Sequence, residues 1–278
     1  MAHYDMLVIG TGPAGQKAAV QAAKLGKKVC LVERKEVVGG VCINTGTIPS
    51  KSLREAVLYL SGFRQRSLYG ADYRLKQRIT IEDLAFRCQH VITNEIRIVQ
   101  DQMARNKVDM LFGTASFNGS HRLRIQQTTG SVEHTADFFV IAVGTETARP
   151  TDIPFDGRTI IDTDGILTLK TIPASMVIVG GGVTGTEYAS ILATLGVSVI
   201  LIDKRPRLLE FVDAEIIKVF QQQMKDIGVT LYHEEEVLGI RKEDEGHVHV
   251  SLRQARPVTA DSLMYAIGRL GATKDLNL

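Results

Sequence analysis

The feature that most constrains the fold is a pattern that occurs twice in the chain. A short apolar run is followed by a glycine-rich turn, a helical stretch rich in small residues, and a second apolar run that ends in an acid. The first copy ends at Glu33 and the second ends at Asp203. In both copies the first glycine and the acid are 23 positions apart (10 and 33, 180 and 203). The repeat predicts two strand-helix-strand units, each built on parallel strands.

The residue types in this pattern suit a dinucleotide. Glycines permit a tight turn and let a pyrophosphate reach the N–H groups and the positive dipole end of the helix. An acid after the second strand can accept hydrogen bonds from an adenosine ribose. A single motif of this kind could simply pack a helix on a strand, but all parts agree in both copies. The first predicted site contains Gly10, Gly12, Pro13, Ala14, Gly15, Glu33 and Arg34. The second contains Gly180, Gly182, Val183, Gly185, Asp203, Lys204 and Arg205.

The other segments complete a prediction of the fold class, which is α/β with two Rossmann-like three-layer domains. Apolar periodicity predicts helices at 50–63, 81–105 and 213–227. It predicts strands at 108–117, 122–127, 131–135, 138–142, 230–233 and 262–267, and a hairpin at 237–253. The Pro-rich stretch 150–154 predicts a boundary between a domain at 1–150 and a domain at 151–278.

One further stretch stands apart from the repeat, and it reads Gly-Gly-Val-Cys-Ile-Asn-Thr-Gly-Thr-Ile-Pro-Ser-Lys at 39–51. Pro49 suits the first turn of a helix, where its missing N–H has no partner to lose. The stretch strongly resembles the redox loop of the FAD-dependent pyridine nucleotide-disulfide oxidoreductases, in which two cysteines precede Ile-Pro-Ser-Lys. Cys42 matches the first cysteine, but Thr47 stands in place of the second. A hydroxyl cannot form a disulfide, so electron transfer to a thiol substrate is not expected.

Within that superfamily the stretch resembles the soluble, FAD-containing NAD(P) transhydrogenases. The resemblance implies FAD in the first domain, NAD(P) in the second, and hydride transfer between NADPH and NAD+ through FAD. It also implies that Lys51 lies beside the flavin with Glu187 as its partner, and that Cys42 and Thr47 lie in the same site. A structural Lys51–Glu187 ion pair and a merely space-filling Cys42 are the alternatives. Further implied cofactor contacts are Gly40, Thr114, Ala115, Gly144, Thr145 and Gly268.

The choice between NAD and NADP can be argued from charge. Asp203 suits the 2′-hydroxyl of NAD and would repel a 2′-phosphate by about 4 kcal/mol at about 4 Å. Lys204, Arg205 and Arg207 follow at once and could bind that phosphate. A site with both an acid and cations predicts an enzyme that uses NAD and NADP in turn.

Composition limits the other classes of function. The 278 residues are 44% hydrophobic and 23% charged with a net charge of +2, so neither a nucleic acid nor a membrane is the expected partner. The expected partners are small-molecule nucleotides. Three cysteines without metal-ligand spacing predict no metal site and no disulfide framework, and His247 and His249 lack a third ligand nearby. No leader precedes the first apolar run, and we expect a cytoplasmic protein.

The resemblance covers nearly all of this chain but only about three fifths of a family enzyme. It therefore implies that the segment completing the FAD domain and the C-terminal dimerisation domain are absent, which puts the family's homodimer in doubt. Two other functions are open on the sequence. One is an NAD(P)H-dependent diaphorase or quinone reductase, and the other is a non-catalytic or inactive dinucleotide-binding fragment.

Overall fold

The chain is an α/β protein, as the sequence predicts, in a computed structural model that describes residues 1–70, 72–243 and 246–278. Its helices are α1 (Pro13–Lys24), α2 (Gly40–Asn44), α3 (Thr47–Leu60), α4 (Arg66–Tyr69), α5 (Ile81–Arg105), α6 (Val183–Thr194) and α7 (Ala214–Asp226). Short 3-10 helices occupy Phe63–Gln65, Gly165–Thr168 and Lys274–Leu276.

The strands follow the two halves of the repeat. The first half contains β1 (His3–Ile9), β2 (Val29–Glu33), β3 (Asp109–Phe112), β4 (Thr114–Phe117), β5 (Arg122–Gln127) and β6 (Gly130–Ile141). Then come β7 (Thr145–Thr147), β8 (Ile160–Asp162), β9 (Ser175–Val179), β10 (Ser198–Ile202) and β11 (Val229–Tyr232). The last strands are β12 (Val237–Lys242), β13 (Val248–Leu252), β14 (Val258–Ala260), β15 (Ser262–Tyr265) and β16 (Arg269–Gly271). The turn of the predicted hairpin, at 244–245, lies outside the described residues.

Four strands follow the same order in the two main sheets. The six-stranded sheet runs β3-β2-β1-β6-β5-β4, and the five-stranded sheet runs β11-β10-β9-β15-β8. The four strands β3-β2-β1-β6 are parallel to their neighbours, and so are β11-β10-β9-β15. Each half also carries antiparallel strands just before its last parallel strand, namely β4 and β5 in the first and the β12-β13-β14 sheet in the second. The repeat seen in the sequence is therefore a repeat of topology.

The chain forms two compact units, and each is discontinuous in sequence. The first unit comprises Met1–Pro49, Gln89–Glu146 and Leu270–Leu278, and the second comprises Ser50–Cys88 and Thr147–Arg269. This division differs from the single boundary predicted near residue 150. Most of α3 and the first turns of α5 belong to the second unit because Leu53, Val57 and Leu84 are buried in the same core as Tyr188 of α6. Their periodicity shows that one helix face is buried but not which core receives it.

Several local predictions agree with the structure. Helix α5 has the predicted bounds, and Thr80 and Asp83 form a capping box at its start, since the Thr80 N–H donates to Asp83 at 2.9 Å. The predicted strands 131–135 and 138–142 are one strand, β6, because Thr135 and Ala136 also pair with β1. The short strands β8 and β14 were not predicted, since three residues carry too little periodicity.

We predict that Gly185→Ala destabilises the second unit by about 2 kcal/mol or more. A Cβ at this position would lie under 3.0 Å from the carbonyl oxygen of Gly180, so α6 would have to move off β9. The matched control is Gly182→Ala, whose Cβ would meet no atom within 4 Å, and it should cost less than about 1 kcal/mol. Thermal unfolding followed by circular dichroism compares the two, and equal costs would contradict the packing argument.

Candidate functional site

The first glycine turn joins β1 to α1. Gly10 adopts φ +105°, a value that favours glycine, and a Cβ there would collide with the backbone of Ala142. Gly15 lies so close to Gly10 that a Cβ would be under 3.0 Å from the Gly10 carbonyl oxygen. Both glycines are therefore required for α1 to begin directly after β1.

The middle glycine, Gly12, has a different role. It is the N-cap of α1 with extended backbone (φ −65°, ψ 175°) and no side-chain cap, and Pro13 follows in the first turn. A Cβ on Gly12 would meet no protein atom within 4 Å, while Gly40 packs closely against its Cα. The helix thus presents its first N–H groups beside open space bordered by the 39–40 loop, which fits a pyrophosphate.

Glu33 lies beside this turn and is buried. It accepts hydrogen bonds from the N–H of Thr11 at 3.1 Å and the N–H of Lys35 at 3.0 Å, and from the Thr11 hydroxyl. The same hydroxyl accepts from the Gly39 N–H at 3.0 Å. Thr11 therefore links the acid to the loop that borders Gly12. The sequence did not single out Thr11, because the second position of a glycine motif tolerates many residues; its burial is the signal.

The second glycine turn repeats this geometry between β9 and α6. Gly180 adopts φ +111°, and a Cβ there would lie 2.7 Å from the Ala266 carbonyl oxygen. Gly182 is again an N-cap without a side-chain cap and with open space at its Cβ position. Val183, the first residue of α6, is exposed. The second turn thus offers the same free helix N-terminus as the first.

Asp203 is held differently from Glu33. It accepts from the Gly181 N–H and from the Arg205 N–H at 2.8 Å, which are the counterparts of the bonds from Thr11 and Lys35. The place of the Thr11 hydroxyl is taken by the Arg205 guanidinium, which donates from Nε at 2.8 Å and from Nη2 at 2.6 Å. Burial alone would raise the pKa of Asp203, but the bonds from Arg205 and the two backbone groups hold that pKa below its usual value.

Lys51 and Glu187 form an ion pair within the second unit. Both the Lys51 ammonium and the Ser50 hydroxyl, at 3.2 Å, donate to Oε1 of Glu187, so α3 and α6 meet at this carboxylate. The Lys51 side chain is 58% exposed and the Glu187 side chain 18%. An ion pair of this exposure contributes at most about 1 kcal/mol to stability. The structure brings the two predicted residues together; their catalytic role stays a prediction.

The two loop residues Cys42 and Thr47 lie in the first unit. Cys42 is in α2, half buried and with a free thiol, and Thr47 is the exposed first residue of α3. The other two cysteines are buried, and burial raises the pKa of the Cys30 thiol to about 12 and that of Cys88 to about 11. Cys42 is thus the least buried of the three thiols.

The remaining predicted contacts differ in their surroundings. Gly144 and Gly268 both have positive φ and open space at the Cβ position, close after the strands that border the glycine turns. Arg34 pairs with Glu146 at 3.6 Å. Ala115 is buried in the core of the first unit, so its side chain packs there and a ligand could reach only its backbone. Thr114, Thr145 and Lys204 are exposed.

Two features are absent from the described part of the chain. No described helix is both long and apolar enough for a membrane span. Among the same residues no group of three or more His, Cys, Asp or Glu side chains could hold a metal ion.

Two sheets, each built on four parallel strands with a glycine turn and an acid at their carboxyl ends, define an α/β protein with two Rossmann-like units. A model of the pyridine nucleotide-disulphide oxidoreductase family matches residues 4–277. The chain belongs to this family, which confirms the resemblance read from 39–51.

Individual proteins that are similar to the chain agree with this family assignment. The chain is 47% identical over 280 residues to the soluble pyridine nucleotide transhydrogenase of Mycobacterium tuberculosis (strain ATCC 25177 / H37Ra), covering all of this chain and 60% of that protein. It is 40% identical to the protein of the same name from Colwellia psychrerythraea, covering 99% of this chain and 59% of that one. Among solved structures, the Cu(II) complex of the HOCl-induced flavoprotein disulfide reductase RclA from Escherichia coli is similar with a TM-score of 0.85 and 29% identity, over 99% of this chain and 59% of RclA. The chain thus spans about three fifths of the length of the relatives it matches.

We predict that Glu187→Gln changes the free energy of unfolding by less than about 1 kcal/mol, because its partner Lys51 is 58% exposed and solvent screens the pair. Glu55→Gln is the control: Glu55 lies on α3, as Lys51 does, and pairs with Arg54 at 3.2 Å in an exposed position. Urea unfolding of both variants tests this. A loss of several kcal/mol for Glu187→Gln alone would show that the pair is mainly structural.

Proposed function

We propose that this chain is the nucleotide-binding part of a flavoprotein that transfers hydride between NADPH and NAD+ through FAD. The observation that carries the proposal is the combination found at 42–51. Lys51 pairs with Glu187, while Thr47 occupies the position at which a disulfide reductase of the family needs its second sulfur. Without that sulfur, electrons have no route to a disulfide substrate in this chain.

The residues of both glycine turns fit the two nucleotides. In each unit the N-cap glycine leaves open space at the start of a 12-residue helix, and an acid lies beside the turn. We assign FAD to the first unit, through Gly10, Gly12, Gly15 and Glu33. NAD(P) goes to the second, through Gly180, Gly182, Gly185 and Asp203. Pyrophosphate groups would take the helix N–H donors that no side chain caps.

The chemistry follows from charge. FAD when bound supplies an acceptor that can take two electrons from one nicotinamide and return them to the next. The Lys51 ammonium would offset negative charge that develops near it, and Glu187 holds that ammonium in one orientation. The names of the relatives support transhydrogenation over a diaphorase activity. We place the protein in the cytoplasm, a reducing compartment in which cysteines such as Cys30, Cys42 and Cys88 stay out of disulfides.

The direct test is anaerobic spectroscopy of the purified chain with FAD. NADPH should bleach the visible flavin absorbance, and NAD+ added afterwards should restore it. Glu187→Gln should slow the bleaching about tenfold while Glu55→Gln leaves it unchanged. Absorbance that returns with a quinone but not with NAD+ would favour the diaphorase, and a chain that stays colourless with FAD would exclude both activities for it.

Cysteine at position 47 would restore the second sulfur of the family's redox pair. In the Thr47→Cys variant, mild oxidation should join Cys42 to the introduced cysteine, because the loop is predicted to keep the spacing of the family's redox pair. The number of reactive thiols, measured by titration before and after oxidation, should then fall by two. A dithiol reductant should restore it. The wild-type chain is the control, since Cys30 and Cys88 are buried. Two thiols that stay free would contradict the alignment of Thr47 with the family cysteine.

A further inference from the structure

The acid of the second unit is already fully engaged by the protein. A carboxylate offers about four acceptor positions, and Asp203 receives four donors. Oδ1 accepts from the backbone N–H of Arg205 and from its Nε, each at 2.8 Å. Oδ2 accepts from the Gly181 N–H and from Arg205 Nη2, the latter at 2.6 Å. We call the two guanidinium bonds the Asp203–Arg205 fork.

The first unit shows that this fold can bind the acid of its glycine motif without an arginine. Glu33 has the same two backbone donors, but its third donor is the neutral hydroxyl of Thr11. The second unit cannot use a side chain there, because a Cβ on Gly181 would lie 2.9 Å from Asp203 Oδ2 and closer still to Leu208. Arg205 supplies the missing donor and brings a positive charge with it.

The fork changes which group of the second unit can meet a ligand. A bare carboxylate accepts the 2′-hydroxyl of NAD and repels the 2′-phosphate of NADP. Here the Asp203 side chain is 4% exposed and its charge is paired, whereas the Arg205 side chain is 34% exposed. The bonds to Asp203 use the Nε–Nη2 edge of the guanidinium, so its Nη1–Nη2 edge is the one that can meet an anion. Exposed Lys204 adds a second cation beside it.

We propose that the Asp203–Arg205 fork sets coenzyme choice: with the fork closed the second unit selects adenosine carrying a 2′-phosphate, and a free 2′-hydroxyl is admitted only when Arg205 leaves Asp203. This rests on the proposed function only in assigning a pyridine dinucleotide to the second unit. The fork thereby lets one site take NADP(H) and NAD(H) in turn, with Arg205 on Asp203 for the first and off it for the second.

The test is equilibrium titration calorimetry with two redox-inactive probes, ADP-ribose and 2′-phospho-ADP-ribose, on the chain with excess FAD present to fill the first unit. Arg205→Ala removes the cation and frees Asp203. It should weaken 2′-phospho-ADP-ribose about tenfold or more and tighten ADP-ribose about tenfold, which are changes of opposite sign. Lys204→Ala, the matched control, should weaken only the phosphorylated probe.

The outcomes separate the two proposals. If both probes bind the wild-type chain but Arg205→Ala weakens both equally or changes neither, the fork does not set coenzyme choice and the nucleotide site stands. If neither probe binds the wild-type chain, the proposed function and this inference both fail. Should Arg205→Ala not fold, Arg205→Lys keeps the charge without the two-point fork, and an unchanged ratio of affinities for the two probes would overturn the proposal.

Discussion

The whole molecule depends on one close contact, made twice, between the backbone of a helix and the carbonyl group at the end of a strand. In the first unit this contact joins Gly15 to Gly10, and in the second it joins Gly185 to Gly180. No side chain fits between the two backbones, so the helix begins directly above the sheet. That position aims the helix N–H groups at the space beside Gly12 and Gly182, where an anion is favoured.

The hydrogen bonds to Glu33 and Asp203, here called the acid clamps, show how one architecture supports two sites of different charge. Both units use the N–H after the first glycine and the N–H two residues after the acid as donors to that acid. The third donor is a hydroxyl in one unit and a guanidinium in the other. The backbone donors are common to both units, so the difference in charge comes from the third donor, which is Thr11 of the glycine turn in the first unit and Arg205 after the acid in the second.

The pair of Lys51 and Glu187 illustrates how packing prepares chemistry. Glu187 is on α6 and Lys51 on α3, and the two helices share a core in which Leu53, Val57 and Tyr188 are buried. That core holds the carboxylate within reach of both Ser50 and Lys51. Since an ion pair with a solvent-exposed lysine adds little stability, the apolar contacts position the two charges and not the reverse.

The amino-acid sequence by itself determined the two glycine turns, the bounds of α5 and the family, because these features rest on residues close together in the chain. It paired Lys51 with Glu187 only through a resemblance. Tertiary structure alone decided that 50–88 pack with the second unit, that Ala115 is core, and that Asp203 is bound by Arg205 while Glu33 is bound by Thr11. Some of these outcomes depend on which buried surfaces meet across long sequence separations. Others depend on which of several nearby donors reaches a carboxylate first. Neither the periodicity nor the spacing of residues in the sequence contains this information.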